Sequence, residues 1–206
     1  MNRLSSIAML VTALGLTACS SPAPIHYYTL LPPSSANART VQVQSPFLID
    51  VLPVGLPEYL DQQPLVVRQS VSGGAVSVLD EERWVGPLGD ELRNALSVQV
   101  AERLGTQDVS GLSSSADQKV VRIKVQIRRM DAWLNNHVQL EAGWSLGIVQ
   151  GSKARLVCQG GFTEAAQNGY PALIQAQQRA VGALAARIAT DVRNWGSSQQ
   201  AKCSTE

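Results

Sequence analysis

The stretch that decides the fold is KVVRIKVQIRRMDAW, residues 119–133, in which apolar and polar residues alternate. The apolar set is Val121, Ile123, Val125 and Ile127, and the polar set is Arg122, Lys124, Gln126 and Arg128. Successive side chains of a β-strand point to opposite faces. The pattern therefore predicts a long strand with one buried face and one solvated face.

Two similar segments follow this strand. Alternation resumes over residues 138–148 after Asn135-Asn136, and again over residues 156–162 after Gly151-Ser152. Three long strands with short connections predict an antiparallel meander.

The first third of the mature chain contains shorter strand-like segments. They are IHYYTLL (25–31), PFLIDVLPV (46–54), PLVVRQSV (64–71) and AVSVL (75–79). The last two are separated by Ser72-Gly73-Gly74, which predicts a hairpin with a glycine-containing turn.

The hydrophobic period changes to that of a helix after Pro87. Apolar residues recur at three- and four-residue steps at Leu88, Leu92, Ala95, Leu96, Val100 and Leu104. Pro87 suits the first helical position and Gly105 the helix end. A second, alanine-rich helix is predicted over residues 171–195. The order of elements predicts an α+β fold: an antiparallel or mixed β-sheet with two α-helices packed on one face.

The first 19 residues, MNRLSSIAMLVTALGLTAC, have one basic residue, an apolar run too short to cross a bilayer permanently, and a cysteine after small residues. LTAC resembles the lipobox of bacterial lipoproteins. In that family the leader is cut before the cysteine, whose thiol receives a diacylglycerol and whose new amino group is acylated. The resemblance implies that Cys19 carries the lipid, such as palmitate, and we expect no other cofactor.

These features divide the chain into four parts: a lipoprotein signal peptide (1–18), a lipid anchor with a short tether (19–24), one domain (25–196) and a polar C-terminal tail (197–206). Of 17 basic and 16 acidic residues, the leader removes only Arg3, so the mature chain is neutral. Neutrality gives no reason to expect nucleic acid as a partner. Two histidines and no Cys/His cluster predict no metal site.

Two cysteines remain after the leader, Cys158 and Cys203, and export would place both in an oxidising compartment. A disulfide between them is therefore a candidate; the alternative leaves Cys203 free in a frayed tail. The acidic groups Asp80-Glu81-Glu82 and Asp90-Glu91 are expected to be solvated, in turns and on an exposed helix face. The basic face of the strand at residues 119–133, formed by Arg122, Lys124 and Arg128 together with Arg129, is expected to be solvated as well.

One pattern suggests catalysis. Gly143-Trp144-Ser145-Leu146-Gly147 matches the G-x-S-x-G motif of serine hydrolases. That chemistry needs the serine on a sharp strand-to-helix turn, whereas here it falls inside an alternating strand. Both histidines, His26 and His137, also precede the serine. We therefore expect a protein that is not an enzyme.

Three segments support a family comparison: YYTL (27–30), LPEYLD (56–61) and RWVGPLGDELRNAL (83–96). Behind a lipobox and ahead of a meander and a terminal helix, they resemble the ABC-type transport auxiliary lipoproteins, the family of paraquat-inducible protein C. The motif positions carried over are Tyr27, Tyr28, Pro57, Tyr59, Leu60, Trp84, Pro87 and Leu88.

The resemblance implies an outer-membrane-anchored, periplasmic lipoprotein that serves an intermembrane lipid-transport system as its docking subunit. It also implies a mammalian-cell-entry-domain protein and its inner-membrane transport components as partners, and assembly into a homo-oligomer. Ser20, which follows the anchor, points to the outer membrane because aspartate there retains similar lipoproteins at the inner membrane. A lipid-binding carrier or envelope chaperone is the alternative.

Several motif positions have a second interpretation. Tyr27 and Tyr28 point to opposite faces of a strand, so one can be core while the other meets a partner or a lipid surface. Trp84 and Leu88 can simply fasten the helix entrance to the sheet. Exposed loop aromatics are often interaction sites, so the LPEYL loop is the preferred contact surface.

Overall fold

The computed structural model describes residues 23–33, 45–112, 118–149, 154–198 and 202–204. Within those ranges it contains seven strands, two α-helices and one 3₁₀ turn, Glu58–Leu60. The strands are β1 (His26–Tyr28), β2 (Leu48–Val51), β3 (Pro64–Arg68), β4 (Val76–Trp84), β5 (Val120–Trp133), β6 (His137–Ile148) and β7 (Arg155–Ala165). The helices are α1 (Leu88–Leu104) and α2 (Tyr170–Ser198).

All seven strands belong to one mixed sheet. The order is β1-β4-β3-β5-β6-β7, and β2 pairs with the first residues of β5. The predicted meander and hairpin are confirmed, because β5–β6, β6–β7 and β3–β4 are antiparallel. The β1–β4 and β2–β5 pairs are parallel. The predicted α+β class is therefore confirmed, with a mixed sheet.

Both helices pack on one face of the sheet and against each other. The fully buried side chains include Leu92, Leu96, Ile123, Leu140, Leu146 and Leu184. On the opposite face of β5 the alternating polar residues Arg122, Lys124, Gln126 and Arg128 are exposed, as the alternation predicted. One buried layer between sheet and helices is thus the core.

Helix α1 is bounded by the two residues that the sequence indicated, with a shift of one position at its start. The helix begins at Leu88, and the carbonyl of the preceding Pro87 accepts hydrogen bonds from the N–H groups of Asp90 (3.0 Å) and Glu91 (3.1 Å). Gly105 ends it in the left-handed conformation, φ 60°, which glycine adopts at little cost.

The expectation that the acidic groups are solvated is wrong at two positions. Glu82 and Glu91 are buried. The Glu91 carboxylate is buried because it accepts hydrogen bonds from the Leu30 N–H (2.9 Å) and the Thr29 hydroxyl (2.7 Å), both just after β1. One carboxylate oxygen of Glu82, Oε1, lies 3.1 Å from Nδ1 of His26.

Asp108 fastens the loop after α1 to both β2 and the helix. Its carboxylate accepts hydrogen bonds from the Val51 N–H (3.2 Å), from the N–H (3.0 Å) and hydroxyl (2.6 Å) of Ser110, and from the Ser97 hydroxyl (2.5 Å). Burial alone would raise the pKa of Asp108, but these hydrogen bonds outweigh it and hold the pKa below its ordinary value.

Asp108→Asn is expected to lower the free energy of unfolding by about 1–3 kcal/mol at pH 7, because an amide cannot accept all these bonds. The native pKa lies below the unfolded one. The stabilisation is thus present above the unfolded pKa of about 4 and is lost as pH falls through the native pKa. Urea unfolding at pH 7 and pH 3 measures this, with the exposed Glu102→Gln as control. A difference between Asp108→Asn and wild type that does not shrink at pH 3 would contradict the assignment.

Candidate functional site

The three motif segments meet at one corner of the fold. We call this the motif corner: β1, the 3₁₀ turn Glu58–Leu60, the end of β4 and the start of α1. Tyr28 pairs with Trp84 in the β1–β4 ladder, and the Tyr28 carbonyl accepts a hydrogen bond from the Val85 N–H at 2.9 Å. The Trp84 N–H donates to the Gln63 carbonyl at 2.8 Å. Backbone hydrogen bonds therefore join segments far apart in sequence.

The inner layer of the motif corner is core. Leu60, Trp84 and Leu88 are buried, with Trp84 only 2% exposed. They line one small cavity of about 10 Å³ with Met130 and Gln177. These three motif positions thus pack the start of α1 against the sheet. For Trp84 and Leu88 this agrees with the second interpretation given above, a structural role at the helix entrance.

The loop that contains LPEYLD is held directly on the start of α1. The Asp61 carboxylate accepts a hydrogen bond from the Gly89 N–H at 3.0 Å. A Cβ at position 89 would lie 3.2 Å from both Asp61 Oδ1 and a methyl of Leu56, so a larger residue there crowds this contact. Glycine in the PLGDEL segment is therefore explained by close packing of loop and helix.

The two tyrosines of β1 point in opposite directions. Tyr28 packs against the core beside Glu82 and Tyr170. Its burial, and to a smaller extent its interaction with the Glu82 carboxylate, raises the pKa of Tyr28 to about 12. Tyr27 is 58% exposed. The structure thus places Tyr28 inside and Tyr27 at the surface, which the sequence left open.

The outer layer of the motif corner contains Tyr59, whose side chain is 46% exposed while its neighbour Leu60 is buried. The turn that carries it is rigidly bonded: the Leu60 N–H donates to the Pro57 carbonyl at 2.9 Å, and the Gln62 amide donates to the Tyr59 carbonyl at 2.7 Å. Pro57 itself is half-buried. Tyr59 is therefore an aromatic group presented to solvent on a fixed backbone.

Two of the remaining predicted residues, Cys158 and Cys203, lie away from this corner. Cys19 lies outside the described residues. Cys158 and Cys203 are joined by a disulfide that spans 45 residues, and this bond fastens the C-terminal segment to β7. On the disputed chain-entropy account, such a closure stabilises the fold by about 4 kcal/mol.

A buried carboxylate that sequence analysis missed fixes the same C-terminal segment. Asp191 of α2 is fully buried and accepts hydrogen bonds from the Trp144 indole N–H (2.9 Å) and the Ser204 N–H (2.7 Å). Arg187 donates to the Ser204 carbonyl at 2.8 Å. The only sequence signal was an acidic residue near the apolar stripe of α2.

Ser145 lies inside β6, where it pairs with Lys124 and Val157 on the neighbouring strands. His137 lies eight residues earlier on the same strand, roughly 26 Å away, and stacks on Trp133. The G-x-S-x-G match therefore lacks the sharp turn that serine hydrolases need at the serine, and His137 is too far from Ser145 to act as its base.

The described parts of the chain contain neither a metal-binding cluster nor a membrane-spanning helix. In those parts, His, Cys, Asp and Glu residues form no cluster of three that is suited to a metal ion. Neither helix combines the length and the apolar character that crossing a membrane requires.

A family model described as "ABC-type transport auxiliary lipoprotein component" matches residues 28–189, most of the chain. The chain belongs to this family. The match contains the motif positions from Tyr28 to Leu88 and the whole meander, and it excludes Tyr27, Cys19 and Cys203. No curated protein matches the chain.

Two solved structures share the fold of this auxiliary lipoprotein family member. One, described as an uncharacterized protein, is 20% identical, with a TM-score of 0.62, and the match covers 82% of this chain and 99% of the other. Protein XCC0632 from Xanthomonas campestris is 15% identical, with a TM-score of 0.58, and the match covers 85% and 98%. At these identities the likeness concerns the fold alone.

Proposed function

We propose that this chain is an outer-membrane-anchored periplasmic lipoprotein that docks an intermembrane lipid-transport system. In this proposal Cys19 carries the N-acyl and S-diacylglycerol groups, and Ser20 directs the chain to the outer membrane. A mammalian-cell-entry-domain protein, linked to inner-membrane transport components, is the partner. Membership of a transport auxiliary lipoprotein family supports the general role.

The observation that carries the proposal is the two-layer construction of the motif corner. Buried Leu60, Trp84 and Leu88 fix the corner, while Tyr59 on the same turn projects into solvent. A large aromatic side chain on a rigid turn loses little conformational entropy when a partner covers it. We therefore assign the LPEYL loop as the contact surface for the transport partner.

The β7 edge of the sheet fits self-association, the second partner expectation. β7 is the last strand in the sheet order, so one edge of this 11-residue strand has no strand paired with it in the described chain. An edge of that kind can pair with another chain. We propose that copies of the chain assemble into a homo-oligomer.

No observation favours the alternative of a lipid-binding carrier. A carrier needs an apolar chamber for an acyl chain, whereas the core cavity beside Trp84 has room for about one water molecule. The open depression of about 650 Å³ beside α1 and α2 includes the polar side chains of Gln99, Arg103 and Arg179 in its lining.

Tyr59→Ala is expected to reduce recovery of the mammalian-cell-entry-domain protein about tenfold when the tagged lipoprotein is crosslinked and purified from cells. A tenfold change corresponds to about 1.4 kcal/mol, which lies in the range lost when a tyrosine at an interface centre is truncated. Immunoblotting of both proteins measures the ratio.

Val98→Ala is the matched control, because Val98 is similarly exposed but lies on α1 away from the loop. Its recovery ratio is expected to equal that of wild type. Equal ratios for all three proteins would remove Tyr59 from the interface. Failure of wild type to recover any such partner after crosslinking would refute the proposed function itself.

A further inference from the structure

The β1 end of the sheet edge exposes three large apolar side chains. Ile25, Tyr27 and Val85 are 47%, 58% and 59% exposed. Ile25 immediately precedes β1, and Val85 continues the ladder, since its N–H bonds to the Tyr28 carbonyl. We call these three residues the β1 patch. No described element of the chain covers it.

The length of the tether limits how far this patch can lie from a membrane. Ile25 lies six residue steps after Cys19, and an extended chain of that length spans at most about 20 Å. The polar layer on each side of a bilayer's hydrocarbon core is roughly 5–8 Å thick. Acyl chains on Cys19 would therefore hold the β1 patch within reach of the headgroups.

We infer that the β1 patch lies in the headgroup region of the bilayer that holds the acyl chains and orients the domain on it. This inference rests on the lipid anchor of the proposed function. Tyrosine is enriched at membrane–water interfaces because its ring is apolar and its hydroxyl remains hydrated. Arg83, the ladder partner of Tyr27, can bury its aliphatic stem and keep its guanidinium in water.

Charge determines which part of the edge can approach the bilayer. Asp80 and Glu81 are exposed earlier in β4, and burying them unpaired in the interface is costly. The end of the ladder with Tyr27 and Val85 must therefore touch the lipid while the acidic part of β4 stays in water. Three side chains are too few to hold a protein on a membrane, so the patch orients the domain and the acyl chains retain it.

This orientation leaves Tyr59 free for a protein partner. Tyr59 lies on the 3₁₀ turn and has no place in the β1–β4 ladder. The two exposed aromatics of the motif segments thus receive separate roles: Tyr27 contacts lipid and Tyr59 contacts protein.

Tryptophan fluorescence tests the contact in the full-length acylated protein. The purified protein is reconstituted in vesicles of phosphatidylethanolamine and phosphatidylglycerol whose acyl chains carry bromine near the headgroup. Tyr27→Trp adds a reporter in the patch, and Val71→Trp adds one in the turn between β3 and β4, at the opposite end of β4 from Val85, where Val71 is 63% exposed. The four native tryptophans are buried and give a constant background.

Brominated lipid is expected to quench the added emission of Tyr27→Trp at least twofold more than that of Val71→Trp. Val85→Trp, a second reporter that leaves β1 unchanged, is expected to be quenched like Tyr27→Trp. Equal quenching at positions 27, 85 and 71 would overturn the inference. Unquenched patch reporters with concentration-dependent dimerisation would also overturn it and would place a second copy of the chain on the patch.

Intact-mass measurement separates this inference from the proposed function. If Cys19 carries no acyl group, both fail. If Cys19 is acylated and the vesicles retain the protein but the patch reporters remain unquenched, only the orientation by the β1 patch fails.

Discussion

Cys19→Ala is expected to abolish incorporation of fatty acid into the protein and to remove the chain from the outer-membrane fraction. Alanine has no thiol to receive a diacylglycerol. Each buried acyl methylene contributes about 0.8 kcal/mol to membrane association, so loss of two or three acyl chains removes the dominant attachment of a mature chain with no net charge. Labelling with radioactive palmitate, followed by density-gradient separation of the membranes, measures both effects.

Ser21→Ala is the matched control for this experiment, because it changes a residue of the same tether and leaves the Cys19 thiol in place. Its label and its membrane fraction are expected to match those of wild type. Palmitate label that persists in Cys19→Ala would mean that the lipid is attached elsewhere.

Trp84→Ala is expected to lower the free energy of unfolding by about 3–5 kcal/mol, the usual cost of truncating a buried aromatic residue. Trp84 touches the cavity shared by Leu60 and Leu88, and its backbone pairs with both β1 and Gln63. The void left by an indole therefore lies where three segments meet, and they cannot all collapse into it.

Urea unfolding followed by circular dichroism measures this loss. Tyr59→Ala, which removes an exposed aromatic from the same corner, is expected to stay within about 0.5 kcal/mol of wild type. A loss below about 1 kcal/mol for Trp84→Ala would contradict the assignment of Trp84 to the core. Together the two variants separate the residue that builds the motif corner from the residue proposed to contact a partner.

The meander and both helices were predictable because their signals are local. Alternation over residues 119–133 specifies a strand and its buried face without reference to any partner. Pro87 and Gly105 bracket α1 for equally local reasons.

Pairings between distant segments were not predictable. Only three residues of the segment IHYYTLL form β1, because Thr29 and Leu30 leave the ladder to bond with Glu91, some 61 residues away. Asp191 and Trp144 meet across 47 residues. Buried carboxylates such as these look solvated in a sequence, because the groups that donate hydrogen bonds to them lie in other segments.

The candidate site was predictable as a set of positions but not as a surface. The family resemblance brought together YYTL, LPEYLD and RWVGPL, and the structure places them at one corner. Which member of each pair faces solvent depends on the pleat and the turn: Tyr27 and Tyr59 are exposed, while Tyr28 and Leu60 pack inward.

The most direct test of the central claim is to crosslink cells that express the tagged full-length lipoprotein, separate their membranes by density, and identify what copurifies with it. The account predicts that the protein is found in the outer-membrane fraction and recovers a mammalian-cell-entry-domain protein. Recovery only from the inner-membrane fraction, or repeated absence of that partner after crosslinking, would contradict it.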